Sequence, residues 1–417
     1  MQIAFIVLIY LIMPTICSVI VLLGYLTTKD SRKIILYSAL LAIVFGIAGY
    51  CFKNPATDPD LVRYLAILST YRNKNLIDSF NTAYTNLYAV DILFWIIANF
   101  CKPQMLPAFA CFIYYFISFY IIGDYKIISG IKKSYFVVYF VFTIAATNFG
   151  SIVNGIRWPL AFSMFTLAIY RDLYKNQRNI FTYFLYVTSF FMHFSVIGLI
   201  AVRLVMLIKN KKRVLIYSLG IVLLPQVLQI LAEKIGEMQT PIGLINSVIY
   251  FITRGNMYFQ WQDGGWADIV RNSTYYRLEK EYFIIISLLF LYMILYEYYR
   301  TNKNGLSLNK IKSIYIFMFT YMVLTLITFL IASHVYIRFI TPAVPLVSLV
   351  FFDSFQQEGK KGTEMKIDIK KLPILIFVLG LTIVGIMLNF YFIRTMVNIR
   401  TFVENIFTFN IFNMFIE

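Results

Sequence analysis

The chain has 417 residues, of which 60% are hydrophobic, 18% aromatic and only 14% charged. Water-soluble domains run nearer about a quarter charged, so the composition excludes an ordinary soluble enzyme and predicts a membrane protein. The net charge of +17 does not point to nucleic acid, because the basic residues cluster in short blocks between apolar runs, where they set topology.

Taken in chain order, runs suited to crossing about 30 Å of hydrocarbon fall at 4–26, 34–51, 105–122, 135–147, 156–170, 214–231, 283–298, 314–332, 339–352 and 372–392. The first has no basic leader and no small-residue cleavage site, so it reads as a retained span. Six basic blocks, at 29–33, 126–133, 171–178, 203–213, 300–312 and 360–371, hold 23 of the 37 Lys and Arg residues. The positive-inside rule places all six in the cytoplasm.

Two segments do not fit as ordinary spans. Residues 180–207 would make one helix roughly 42 Å long, too long for a single crossing, and a cytoplasmic block stands at each end. The expectation is a hairpin of two short helices with its tip at His193, Phe194 and Ser195, facing outward. Residues 85–101 carry Asp91 in mid-run, and a full span there would break the parity between the first two cytoplasmic blocks. That stretch reads as re-entrant or interfacial. The expected fold is all-α, a polytopic membrane helical bundle forming one integral-membrane domain over 1–417. It has about ten full spans plus the hairpin, or about 12 crossings, and a re-entrant segment. Both termini then lie outside, with large external loops at 52–104 and 232–282 and smaller external connections at 148–155 and 333–338.

Ionisable residues at membrane depth are costly and are functional candidates by default. Here they collect on the external side. Arg157 opens a span beside Pro159, a residue suited to the first helical turn; a guanidinium at a helix N-terminus favours an anion and offers forked donors to phosphate. The alternative is an interfacial arginine reaching for water. His193 lies at the hairpin tip and reads either as a hydrogen-bonded structural residue or as a base or phosphate donor near water. His334 and Arg338 are four residues apart at another external edge and share a face if that turn is helical; simple anchoring is the other reading. Asp60 and Tyr64 have the same spacing in the first loop, where either can meet a sugar, or remain solvated. In the second loop Trp261, with Arg254 and Arg271 nearby, stacks on sugar rings or sits in the headgroup layer.

Several signatures are missing from the sequence. Four cysteines form no CxxC pair and there are two histidines, so a Cys/His metal site is not expected. No phosphate-binding Gly-Lys-Ser/Thr loop, HExxH or GxSxG occurs. No cofactor is expected.

The order of these elements resembles the Wzy-type polysaccharide polymerases, in particular the EpsG-like family. The resemblance rests on Asp60-x-x-x-Tyr64 after the second span, then Arg157 with Leu160-Ala161, then His193-x-Ser195, and Arg338 near the end. One departure is Trp158, where this family more often has a glutamine. The resemblance implies a lipid-sugar-dependent glycosyltransferase on the outer face of the bacterial plasma membrane. Its substrate would be an undecaprenyl-diphosphate-linked glycan, with a chain-length regulator and a flippase as protein partners. Arg157 and Arg338 would hold the diphosphate, His193 or Asp60 would act as the base, and Tyr64, Arg254, Arg271, His334 and Trp261 would contact substrate. Rival readings are an O-antigen ligase, a membrane acyltransferase, or a non-enzymatic flippase or exporter of lipid-linked sugars.

Overall fold

The computed structural model describes residues 10–53, 60–81, 87–208, 273–303, 313–331, 336–356 and 372–411, with a few single positions between 213 and 234. Every regular element among the described residues is helical. The chain divides into two compact units. The first comprises 1–167, 191–193 and 355–417, and the second 168–190 and 194–354.

In the first unit, α1 (Pro14–Thr27) begins on a proline and α2 (Ser31–Cys51) on Asp30, whose carboxylate accepts from the Arg32 amide. Both starts satisfy or remove backbone donors that a helix leaves open. Next come α3 (Asp60–Tyr71), α4 (Leu76–Asn81), α5 (Tyr88–Phe100) and α6 (Met105–Ser129). The α2/α6 pair packs most closely, because glycines let the backbones approach: a Cβ on Gly49 would stand 2.7 Å from the Pro107 carbonyl oxygen. Small residues at such crossings are how apolar helices associate where water supplies no driving force. Lys126, from a predicted cytoplasmic block, donates to the Tyr25 and Thr28 carbonyls at 2.9 Å and so closes the C-terminal end of α1.

After α6 come α7 (Lys133–Ala146), α8 (Phe149–Gly155) and α9 (Arg157–Ile169). Residues 148–155, read from the sequence as an external connection, are instead mostly helical and buried. Asn148 caps α8 through the Ser151 amide, and Phe149, Ile152 and Val153 pack inward. Such apolar residues gain more from burial than a solvated loop would give them. The axis bends by 51° between α7 and α8. Asn389 holds the bend from α15 (below): its Oδ1 accepts from the Phe149 amide and its Nδ2 reaches the Ala145 and Thr147 carbonyls. A break in a helix within hydrocarbon needs such substitutes for its lost backbone partners.

The second unit starts with a π-helical turn, Tyr170–Tyr174, that continues α9. It then holds most of α10 (Ile180–Met192), a 3₁₀ turn (Phe194–Val196) and α11 (Ile197–Val205). Tyr186 on α10 donates to Asp172 Oδ2 at 3.0 Å, and Arg203 on α11 donates to the same atom at 2.5 Å. In one continuous helix these residues would lie about 25 Å apart along the axis, beyond the reach of both side chains. The chain therefore reverses at 193–196, and the expected hairpin with its tip at His193 is borne out. Farther on are α12 (Thr274–Lys303), α13 (Ser313–Ile331) and α14 (Tyr336–Gln356), after which α15 (Leu372–Met396) and α16 (Ile399–Thr408) return to the first unit.

Among the described residues three helices, α2, α6 and α15, are long and apolar enough to cross a membrane, or four with the bent α7/α8 pair. The other described spans expected from the sequence are helical but shorter or less uniformly apolar. Most of the expected span at 214–231 lies outside the described residues. Large apolar side chains face outward, among them Met387 at 65% and Phe390 at 55% exposure on α15, and Ile180 at 88% on α10. Water tolerates few such continuous apolar faces. This is the surface of a membrane-embedded helical protein.

Candidate functional site

The site is assembled in the first unit by α3, α5 and the start of α9. On α3 the buried stripe Leu61, Tyr64, Leu68 and Tyr71 recurs every three or four residues, which puts both tyrosines on one helix face. On α5 the face carrying Asp91, Phe94, Trp95 and Asn99 turns toward α3. Phe94 lies 5.8 Å from both the Tyr64 and the Tyr71 rings. Asn99 closes the end of α3 by donating to the Tyr71 carbonyl and accepting from the Asn73 amide, and the Trp95 indole donates to the Lys74 carbonyl. These bonds fix α5 against α3. The segment predicted as re-entrant or interfacial is thus a helix of 13 residues, about 20 Å long and too short to span.

Arg157 is the first residue of α9. Ile156, just before it, has φ at 38°, a costly backbone for a β-branched residue. Its neighbour Gly155 is required by packing: a Cβ there would meet the Trp158 ring nitrogen at 2.1 Å. Trp158 therefore folds back over Gly155 and is buried. The Arg157 Nε donates to the Tyr64 hydroxyl at 3.1 Å, and the guanidinium stands 5.4 Å from the centre of the same ring. Hydrogen bond and cation–π contact together hold the guanidinium at the α9 N-terminus, where backbone N–H groups already favour negative charge.

Asp60 stands at the first turn of α3 and forms an exposed ion pair with Arg63 at 2.5 Å. Asp91 is different. It is 0% exposed; one carboxylate oxygen accepts from the Tyr71 hydroxyl at 2.8 Å, and the other has no hydrogen-bond partner among the described residues. Burial pushes its carboxyl above the usual range, with the Tyr71 hydrogen bond and the Arg157 charge pulling the other way. Nearby, Asn154 has a buried side-chain oxygen likewise without a partner among the described residues.

Of the residues singled out from the sequence, Tyr64 and Arg157 come together here, while Asp60 stands on the same helix α3 and pairs with Arg63. His193 is half-buried at the break between α10 and the 3₁₀ turn, in a non-helical position, and is counted with the first unit. Two residues earlier, the Phe191 ring lies 6.0 Å from Tyr88, the first residue of α5. Arg338 belongs to the second unit, half-buried in the first turn of α14, where Pro342 supplies no N–H to its carbonyl. Arg254, Trp261, Arg271 and His334 lie outside the described residues.

Two acids escaped notice as site residues. Asp91 was visible only as a charge interrupting an apolar run. Asp172 lay in a block valued for its basic neighbours. It is 3% exposed, accepting from Arg203, from Arg178 at 2.8 Å and from Tyr186. Burial would raise its carboxyl, but the hydrogen bonds from Arg203 and Arg178 outweigh that and hold it below the usual range. Among the described residues no group of His, Cys, Asp and Glu is arranged to hold a metal ion. No family profile, no curated protein and no solved structure matches the chain.

Proposed function

We propose that the chain is a glycosyltransferase that polymerises undecaprenyl-diphosphate-linked repeat units on the outer face of the bacterial plasma membrane. The observation that carries the reading is Arg157, oriented by Tyr64 at the N-terminus of α9. A guanidinium so held is preorganised for a diphosphate entering from the lipid. In this mechanism the bond from the sugar C1 to the diphosphate oxygen breaks and its electron pair stays with the diphosphate. Arg157 stabilises that developing charge; the sequence resemblance alone assigns Arg338 to the diphosphate. The acceptor hydroxyl attacks C1 and gives its proton to a base. Asp60 is already neutralised by Arg63, which favours His193 in that role. Tyr64 keeps the guanidinium in place, and the hairpin carries His193. Arg254, Arg271, His334 and Trp261 are assigned to the glycan by the sequence resemblance alone.

The lipid-linked glycans of a strain lacking the chain test this reading against its rivals. Single repeat units accumulating on the outer face are the expected result. Long lipid-linked chains would point to a ligase, and single units retained on the cytoplasmic face to a flippase; either outcome removes the polymerase assignment.

A further inference from the structure

Asp91 has no task in the mechanism above, yet its setting is unusual. A carboxylate is costly to bury unless its oxygens are hydrogen-bonded or its charge is offset. Here one oxygen has the neutral Tyr71 hydroxyl and the other has no partner among the described residues. The remaining compensation comes through space. Phe94, one turn along α5, packs on both Tyr71 and Tyr64, and Tyr64 accepts from Arg157. This chain of contacts puts the Arg157 charge within electrostatic reach of Asp91, where it opposes part of the effect of burial.

The other ionisable groups on the neighbouring elements do not replace it. On α3, Asp60 and Arg63 neutralise one another at the exposed end. Arg72 follows α3, and α4 brings the acid Asp78. The charges of α6, Asp124 and Lys126, lie in its last two turns. His193 is the histidine of this unit, and histidine is the side chain whose ordinary value lies nearest neutrality.

We propose that Asp91 is the proton partner of the Arg157 site, so that the site takes up one proton from solvent as it takes up a diphosphate. An anion settling on Arg157 cancels the positive field that keeps the buried carboxylate charged. The carboxylate then binds a proton, and it releases that proton when the anion leaves. No bond to carbon is made or broken in this step. Linkage makes the effect reciprocal: a protonated Asp91 raises the affinity of Arg157 for the anion by the same factor. Asp91 is thus a positioning residue of charge. The inference rests on reading Arg157 as a diphosphate site.

The experiment is equilibrium binding to purified full-length protein of a short-chain polyprenyl-diphosphate sugar. Both its phosphates are esterified, so its own charge is constant between about pH 5 and about pH 9. Wild-type affinity is expected to rise at least about fivefold as pH falls across that range, with proton uptake read from calorimetry in two buffers of different ionisation enthalpy. Asp91→Asn, isosteric and always neutral, is expected to bind at every pH as the wild type does at low pH, without Asp91's share of the proton uptake. Tyr71→Phe removes the one hydrogen bond to the carboxylate, so its pH midpoint is expected to move upward; this variant also serves if Asp91→Asn does not fold. Wild-type pH dependence persisting in Asp91→Asn would place the proton on another group, such as His193, and overturn the proposal. An unmoved midpoint in Tyr71→Phe would do the same. Binding that is independent of pH in the wild type overturns the proton coupling alone. Absence of binding at any pH overturns the diphosphate reading of Arg157 as well.

Discussion

On the proposed reading, replacing Arg157 with Ala is expected to abolish polymer and leave lipid-linked single repeats, with a loss of transfer rate of at least about a hundredfold. The expectation follows from what the guanidinium is asked to do. In the proposed reaction charge develops on the leaving diphosphate, and a donor already oriented toward it needs no reorganisation at that moment. Arg157→Lys keeps a positive charge but loses the Nε bond to Tyr64 and the forked donor set, so it recovers little activity. Gel analysis of lipid-linked glycans, with protein levels matched, reads both variants. Polymer of normal length and amount in Arg157→Ala would sink the assignment.

The second large effect lies in the π-helical turn that continues α9. Asp172→Ala removes the one carboxylate to which Tyr186, Arg203 and Arg178 all bond, leaving Arg203 charged and enclosed. Losing one partner of a buried pair costs about 3–5 kcal/mol, because the remaining charge is uncompensated. The expected outcome is a lower unfolding midpoint in detergent and faster proteolysis within 180–205. Transfer activity falls too, since this hairpin sets His193. Arg203→Met is milder, because Arg178 still pairs with Asp172. The pH sign is fixed by the lowered carboxyl of Asp172. Its contribution is complete above the unfolded-state value of about 3.9 and is lost as pH falls through the lower folded value. Between neutrality and about pH 4 the clamp is therefore indifferent to pH. Equal thermal stability of wild type and Asp172→Ala would contradict this account of the hairpin.

What the sequence disclosed, and what it did not, follows from how far apart the partners lie. The hairpin was legible because a mainly apolar run of 28 residues with basic blocks at both ends leaves one economical solution, and His193 and Ser195 mark the reversal. The start of α9 was legible from Pro159 beside Arg157. The pairing of Arg157 with Tyr64 was not, since 93 residues separate them. Nor was the bend after α7, because the residue that stabilises it, Asn389, stands 240 residues away. The helix within the connection at 148–155 was hidden for that reason: Asn148 and the glycines signal a turn locally, while the burial that makes a helix there is tertiary. Trp158 could be placed only once Gly155 was seen beneath it. Asp172 was hidden by counting only basic residues in its block, although it bonds Arg178 of that block and Arg203 of the next.

The most direct measurement is to incubate the purified protein, without nucleotide or added metal, with one defined lipid-diphosphate repeat unit and to resolve the products by size. The account predicts a ladder of multiples on lipid diphosphate, with free lipid diphosphate released at each step and no ladder from Arg157→Ala. Intact starting material with active wild-type protein, or glycan passed to a different acceptor without elongation, would contradict it.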